Sequence, residues 1–176
     1  MKNLKISRPE TDEFDSYYER YISLVADGDI ISSLKNQIAE TLNLLAEISA
    51  EKADFRYAEG KWSVKELVGH IIDTERIFAY RALRIARGDK TPIEGYEQDD
   101  YIKNAEFGKC SLADLAEEFS FIRRANFLMF QSLSETAWHR RGTANGKEIT
   151  VRALAYTIAG HEIYHCNILK ERYLCR

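Results

Sequence analysis

The sequence predicts an all-α protein, a four-helix bundle with a short N-terminal helix and a long link between the second and third helices. Apolar residues recur at steps of three and four in four separate stretches, which is the period of an amphipathic helix. Only two prolines and nine glycines occur in 176 residues, so long helices meet few interruptions. Four helices of about 20 residues are each about 30 Å long, which suits a compact bundle. We expect a single domain over residues 1–176, with its core at roughly 30–173.

The first 28 residues are polar and rich in tyrosine. We expect a short docking helix within them, built on Tyr17, Tyr18, Tyr21 and Val25. The first long helix is predicted to start near Asp29, whose side chain can cap it. Its apolar positions follow at helical spacing: Ile31, Leu34, Ile38, Leu42, Leu45 and Ile48.

The second helix has a clear start signal, because Ser63 and Glu66 have the spacing of a capping box. Its apolar face continues to Gly88, where we expect the helix to end. The third helix is predicted to open at Ser111 and to reach about Leu133.

The segment from Gly88 to Cys110 shows no clear periodicity, and a link of about 20 residues is longer than helix bundles usually need. Such long links often carry function. Further on, Asn145-Gly146 predicts a turn, and Thr150 can cap a fourth helix that reaches about Tyr173.

Composition and charge exclude several classes of function. The formal net charge is −3, and there is no basic tract, so nothing indicates binding to nucleic acid. No apolar run reaches the 18 or so residues of a membrane span, and the first residues lack the apolar segment of a signal peptide. Three cysteines without a spaced framework suit reduced thiols. We therefore expect a cytoplasmic protein with no membrane partner.

Two histidines, His161 and His165, lie four residues apart in the predicted fourth helix. At this spacing both imidazoles are on one face, with Cβ atoms about 6 Å apart, so they can reach one ion. That face is the apolar one, where unpartnered imidazoles are costly to bury. A divalent metal ion would remove this cost. Alternatively, both rings bind carboxylates or tyrosines in the core.

His70, in the second helix, lies at the edge of the apolar stripe and is a candidate third ligand. Three histidines and one free coordination position are typical of a catalytic zinc site. His139 is interpreted as a solvated loop residue, and Cys166 as a core thiol. The carboxylates nearest to a ligand in the sequence are Asp73, Glu162, Asp99 and Asp100, of which Asp73 and Glu162 are our candidate catalytic residues.

Residues 161–165 also fit the zinc-peptidase pattern H-E-x-x-H, in which the glutamate is the general base. A peptidase is disfavoured because Ile168 and Glu171 stand where the elongated pattern has its glycine and its third histidine. Only eleven residues follow His165, and no strand pattern indicates a site for an extended peptide. Glu162 remains a candidate base beside a metal-bound water.

Three segments together resemble the DinB-like superfamily: KWSVKELVGHIIDTER at 61–76, GYEQDDY at 95–101 and HEIYH at 161–165. The resemblance implies a four-helix bundle with a divalent metal, zinc or nickel, whose ligands match His70, His161 and His165. It also implies frequent homodimers. Members include S-transferases that use a low-molecular-weight thiol such as bacillithiol or mycothiol, a maleylpyruvate isomerase, and many proposed metal-dependent hydrolases.

We therefore expect a metal-dependent enzyme that activates a thiol or water for attack on a small-molecule substrate. The chemistry would be S-transfer or hydrolysis. The rival interpretation is a noncatalytic metal-binding scaffold of the stress response, in which the ion only joins the second and fourth helices. A closed site with a fourth protein ligand would favour the scaffold, and an open position beside a cavity would favour the enzyme.

Overall fold

A computed structural model describes residues 5–174 of the chain. In chain order its helices are α1 (Glu19–Ile22), α2 (Ile30–Ala46), α3 (Ala50–Ala53), α4 (Val64–Ala86), α5 (Gln98–Ala105), α6 (Leu112–Gln131), α7 (Glu135–Trp138) and α8 (Val151–Ile168). Helices α2, α4, α6 and α8 are long and form the predicted four-helix bundle. Turns of 3-10 helix occur at Thr11–Glu13, Ser16–Tyr18 and Phe107–Lys109, and α8 continues as a π-helix over Leu169–Leu174.

Each long helix begins where the capping residues predicted it. Four side chains accept a hydrogen bond from a backbone N–H three residues on: Asp29, Ser63, Ser111 and Thr150. At α4 the capping box is complete, because Glu66 Oε2 accepts from the Ser63 backbone N–H at 2.7 Å. One such cap contributes about 1 kcal/mol, so these positions fix where each helix enters the bundle.

The first two long helices of the chain, α2 and α4, lie at opposite corners of the bundle. Helix α4 packs against α6 and α8, and α2 packs against the same two helices. The most extensive of these contacts joins α4 to α8. Predicted ligands from the second and last long helices are therefore brought onto facing helices.

The link between α4 and α6 contains a helix that the sequence did not reveal. Helix α5 spans eight residues and buries only Ile102. One buried position gives no apolar period, so the pattern could not show it. The link runs back over α4, which places the residues around Tyr96 beside the bundle.

The predicted turn at Asn145-Gly146 belongs to a β-hairpin, which is the one sheet in the described chain. Strands β1 (Arg141–Ala144) and β2 (Lys147–Thr150) pair antiparallel. Asn145 and Gly146 have φ of 51° and 71°, as a two-residue hairpin turn requires. Four-residue strands are too short for a recognisable alternation, so the sequence predicted the turn without its strands.

The short N-terminal helix is present and docks on the bundle, but Tyr17, which was expected among its docking residues, lies in the preceding 3-10 turn and is 51% exposed. Tyr18, Tyr21, Ile22 and Val25 are buried, and α1 packs against α8. Among residues 5–174, no helix has both the length and the apolarity to cross a membrane. The expectation of one domain over residues 1–176 stays a prediction.

Candidate metal centre

The three predicted ligands come together in the interior of the bundle. His70 Nε2 lies 3.1 Å from His161 Nε2, and the centroids of the His161 and His165 rings are 4.4 Å apart. One nitrogen of each ring lies within 4.8 Å of the other two. All three side chains are buried, His70 included, although the sequence placed it at the edge of the apolar stripe.

Burial keeps all three imidazoles neutral. It lowers the pKa of His70 to about 4 and that of His165 to about 3, and it holds the pKa of His161 well below its usual range. The neighbouring histidines oppose the charging of His161 and His165 further. A neutral imidazole keeps one lone pair, which is the form that binds a metal ion.

The spacing of the nitrogens suits one ion. Two ligands about 2.0–2.1 Å from a tetrahedral zinc are about 3.3 Å apart, close to the 3.1 Å between the His70 and His161 Nε2 atoms. His165 Nδ1 is buried and has no hydrogen-bond partner among the described residues. Such an orphaned nitrogen costs about 1–3 kcal/mol, so a bound cation would explain the arrangement. Among residues 5–174, no further His, Cys, Asp or Glu joins this group.

The orientation of the His70 ring is set by a chain of hydroxyl groups. Thr74, one turn further along α4, has its Oγ1 3.4 Å from His70 Nδ1. The same oxygen is 2.7 Å from the hydroxyl of Tyr96, which comes from the link before α5. Because Nδ1 is engaged on this side, Nε2 points toward the other histidines, as in sites where an outer partner orients a ligand.

The N-terminal helix α1 packs on α8 and covers the three histidines on that side. A Cβ atom at Gly160 would lie 2.0 Å from Tyr21 O, so only glycine allows α1 to approach so closely. This approach places the Tyr21 ring edge-on to His161 and Tyr164, at centroid distances of 5.2 and 5.4 Å. Burial raises the pKa of Tyr21, so its hydroxyl stays protonated.

Two cavities adjoin the histidines. One, of about 460 Å³, is lined by His70 and His161, and the other, of about 370 Å³, is lined by His165. Both are also lined by the same four residues of α1, α5 and the turn before α1, namely Tyr17, Tyr21, Gln98 and Asp99. The centre is therefore buried in the bundle and flanked on two sides by space for small molecules.

The structure does not bring Glu162 together with the histidines. Its Oε2 lies 2.6 Å from Arg123 Nη1, its Oε1 accepts a hydrogen bond from Thr41, and it lines neither cavity of the centre. Asp73 is half-buried and binds Arg76 at 3.3 Å, and burial raises its pKa. Neither residue contacts a histidine through its carboxylate, and their proposed catalytic roles stay predictions.

The structure also shows where the other candidate residues from the sequence lie. His139 is exposed, and Cys166 is buried with its thiol beside Thr41. Of the link carboxylates, Asp99 lines both cavities and Asp100 lines neither. Cys175 lies outside the described residues.

Several residues of the site were not predicted as site residues, namely Thr74, Tyr96, Tyr21 and Arg81. Thr74 and Arg81 follow His70 on the same helix, by one turn and by eleven residues, and this spacing is the sequence signal that could have found them. Tyr21, expected only to dock the N-terminal helix, and Tyr96 reach the centre through tertiary packing.

A buried three-histidine group on two facing helices of a four-helix bundle defines the class of this protein. Residues 33–169 match the family model described as the DinB superfamily. The chain belongs to the DinB superfamily.

Relatives of known description agree with this assignment. A protein of Oceanobacillus iheyensis, described as a candidate metal-dependent hydrolase, is 31% identical over 72 residues, which are 40% of this chain and 39% of that protein. The chain thus matches about two fifths of that relative's length. A DinB-like protein of Bacillus subtilis, YjoA, has 27% identity and a TM-score of 0.58, covering 80% of this chain and 86% of its own.

Two further solved structures share the fold at lower identity. YfiT from Bacillus subtilis, described as a probable metal-dependent hydrolase with an unusual four-helix bundle topology, has a TM-score of 0.70 and 12% identity, over 96% of this chain and 92% of its own. The mycothiol-dependent maleylpyruvate isomerase has a TM-score of 0.66 and 14% identity, over 78% of this chain and 58% of its own. At these identities the likeness concerns the fold.

Proposed function

We propose that this protein is a metal-dependent enzyme that acts on a small molecule. The observation that carries the proposal is the group formed by His70, His161 and His165, three buried and neutral imidazoles beside two cavities. Zinc or nickel suits such nitrogen ligands. A divalent ion held there would supply Lewis acidity, which lowers the pKa of a coordinated water to about 7 or deprotonates a coordinated thiol.

The residues of the chain favour catalysis over a purely structural ion. Structural zinc sites are closed by four protein ligands, whereas three ligands are typical of catalytic sites. The three histidines have no fourth companion among residues 5–174, and the 460 Å³ cavity reaches two of them. These features argue against the scaffold interpretation.

Hydrolysis is the reaction that we favour. The Oceanobacillus iheyensis relative is described as a candidate metal-dependent hydrolase and YfiT as a probable one, and the fold of YfiT covers nearly all of this chain. A peptidase is disfavoured, because Glu162 is held by Arg123 and Thr41 instead of facing the histidines. The hydrolase would therefore accept a small molecule in the 460 Å³ cavity.

Transfer to or from a low-molecular-weight thiol is the second candidate, and the second cavity favours it. A hydrolase needs room for one organic substrate, whereas S-transfer needs room for two molecules beside the centre. The cavity of about 370 Å³ on the His165 side provides that second place, with Arg20 and Lys61 among its lining residues. The fold is also shared with an isomerase that depends on mycothiol.

Metal content tests the proposal directly. Protein purified without chelators and without a metal-affinity tag should contain about one divalent ion per chain by elemental analysis, and His161→Ala should contain none. His139→Ala is the matched control, because His139 is exposed and lies outside the group. Equal metal content in the wild type and His161→Ala would refute the proposed centre.

Absorption spectra of the cobalt-substituted protein separate the two reactions. If a thiol is the second substrate, cysteine, glutathione or bacillithiol should produce new sulfur-to-metal absorption. Unchanged spectra with all three thiols would leave hydrolysis as the function.

A further inference from the structure

Three arginines are buried among residues 5–174, and two of them are neutralised by carboxylates of the chain itself. Arg123 donates from Nε and Nη2 to the two carboxylate oxygens of Glu75, both at 2.8 Å. Arg152 donates from Nε to Glu13 at 2.7 Å. The third, Arg81 of α4, is only 2% exposed. Arg81 forms no salt bridge within the part of the chain that the structure describes, and its Nη2 donates a hydrogen bond to the backbone carbonyl of Glu94 at 2.9 Å.

The Arg81 guanidinium is therefore a buried cation with no carboxylate in salt-bridge contact among residues 5–174. Its Nε–H is shielded from solvent and has no acceptor among residues 5–174. Arginine stays protonated at any physiological pH, and an uncompensated buried charge costs several kcal/mol. The Phe78 ring, 5.5 Å from the Arg81 Cζ, offsets only part of this cost, since a cation–π contact is weaker than an ion pair with a carboxylate. The other two buried arginines show that this fold can supply carboxylates where it needs them.

Arg81 lies on the same side of α4 as His70. Eleven residues at 100° per residue return to within about 20° of the starting direction, so both face the 460 Å³ cavity that they line. Their Cα atoms are about 16 Å apart along the helix, and helical side chains lean toward the N-terminus, so Arg81 leans toward the histidines. The cavity thus has the metal centre at one end and a free cation toward the other.

We propose that Arg81 binds a carboxylate group of the substrate, and that the substrates of this protein are elongated organic monoacids whose reacting bond lies away from the carboxylate. This deepens the proposed function and rests on it, because the reacting bond is assigned to the histidine centre. The other cation of this cavity, Lys147, is ion-paired with Asp15 at 3.4 Å, so a single positive charge is free. Glu97 and Asp99 also line the cavity and would repel a dianion such as a phosphate monoester.

Direct binding to the metal-free and zinc-loaded protein tests the anion site separately from the reaction. The probes are hexanoate, its neutral isostere hexanamide and inorganic phosphate, titrated by calorimetry. Hexanoate should bind the wild type in both forms, and at least 10-fold more tightly than hexanamide, because hydrogen bonds to charged groups contribute about 1.5–3 kcal/mol. Hexanoate binding to the metal-free form would support the Arg81 site even if the protein held no metal. The Arg81 site and the metal-dependent function can therefore be refuted separately.

Substitution locates the site. Arg81→Gln should weaken hexanoate binding about 10- to 100-fold and leave hexanamide binding unchanged. Arg84→Gln is the matched control, since Arg84 is on the same helix but is already paired with Asp89 at 2.6 Å, and it should bind hexanoate like the wild type. Circular dichroism checks that each variant is folded.

Three results would overturn the proposal. They are equal affinity of the wild type for hexanoate and hexanamide, undiminished hexanoate binding by folded Arg81→Gln, and phosphate binding as tight as hexanoate binding. If Arg81→Gln does not fold, Arg81→Lys takes its place. It keeps the charge but loses the planar fork, and it should weaken hexanoate binding less than 10-fold while preserving the preference over hexanamide. Loss of the preference for hexanoate over hexanamide in folded Arg81→Lys would equally refute the proposal.

Discussion

The metal-free protein should lose stability steeply as the pH falls from about 6.5 toward 5, because its three core histidines are held neutral. In the folded chain, burial lowers the pKa of His70 to about 4 and of His165 to about 3. In the unfolded chain each has a pKa near 6.5, so below that pH the unfolded state binds more protons and is favoured. Each histidine then lowers the free energy of unfolding by about 1.4 kcal/mol for every pH unit below 6.5.

The size of the effect follows from the same values. Between pH 7.5 and 5.0, His70 and His165 should each remove about 2 kcal/mol, or about 4 kcal/mol together. His161, whose pKa is also lowered, acts in the same direction. Because whole domains are stable by only about 5–15 kcal/mol, this loss should be easy to measure.

Urea unfolding followed by far-ultraviolet circular dichroism, in the presence of a chelator at several pH values, measures the slope. His161→Ala should reduce the slope between pH 6 and 5 by about 1.4 kcal/mol per pH unit, the contribution of one proton. His139→Ala, at an exposed position, should leave the slope unchanged. The carboxylates make the same contribution to the slope in all three proteins, so this contribution cancels when the slopes are compared. The same slope in the wild type and His161→Ala would refute the reasoning.

Chelation should leave the circular dichroism spectrum largely helical, because the packing of four amphipathic helices supplies most of the stability; collapse of the signal would favour the scaffold. Glu162→Gln should lower the free energy of unfolding, measured in urea, by about 3–5 kcal/mol, the usual cost of breaking a buried ion pair. Gly160→Ala should cost about 1–3 kcal/mol in urea unfolding, since its Cβ collides with the Tyr21 carbonyl. Finally, light scattering should show a homodimer, for which the exposed Phe121 and Leu128 offer apolar surface; a monomer would contradict this.

Local chemistry explains why so much of the bundle could be predicted. A cap needs only a hydroxyl or carboxylate and a backbone N–H three residues on, as at Ser63 and Glu66. The pairing of His161 with His165 likewise follows from the helical repeat alone. Neither feature depends on which helices become neighbours in space.

The rest of the centre depends on contacts between distant parts of the chain. His70 and His161 are 91 residues apart, and the Tyr96 hydroxyl reaches Thr74 across 22 residues. Such pairs have no sequence period. The helix pattern made His70 a candidate third ligand, and the resemblance to the DinB-like superfamily supported joining it to the other two. Arg81 is the extreme case. In the sequence it is one arginine among several on an amphipathic helix, and its significance lies in having no salt bridge to any of residues 5–174.

The glutamate of the H-E-x-x-H pattern, Glu162, has a structural role in this fold instead of the general-base role that it has in zinc peptidases. One step along α8 turns it about 100° from His161, toward α2 and α6 and away from α4. There Arg123 of α6 binds both Glu162 of α8 and Glu75 of α4, so one buried guanidinium joins the two helices that carry the histidines. Glu75 is five residues from His70, and Glu162 adjoins His161. The ion-pair network therefore fixes the rotation and register of α4 against α8, and with them the spacing at which the three imidazoles meet.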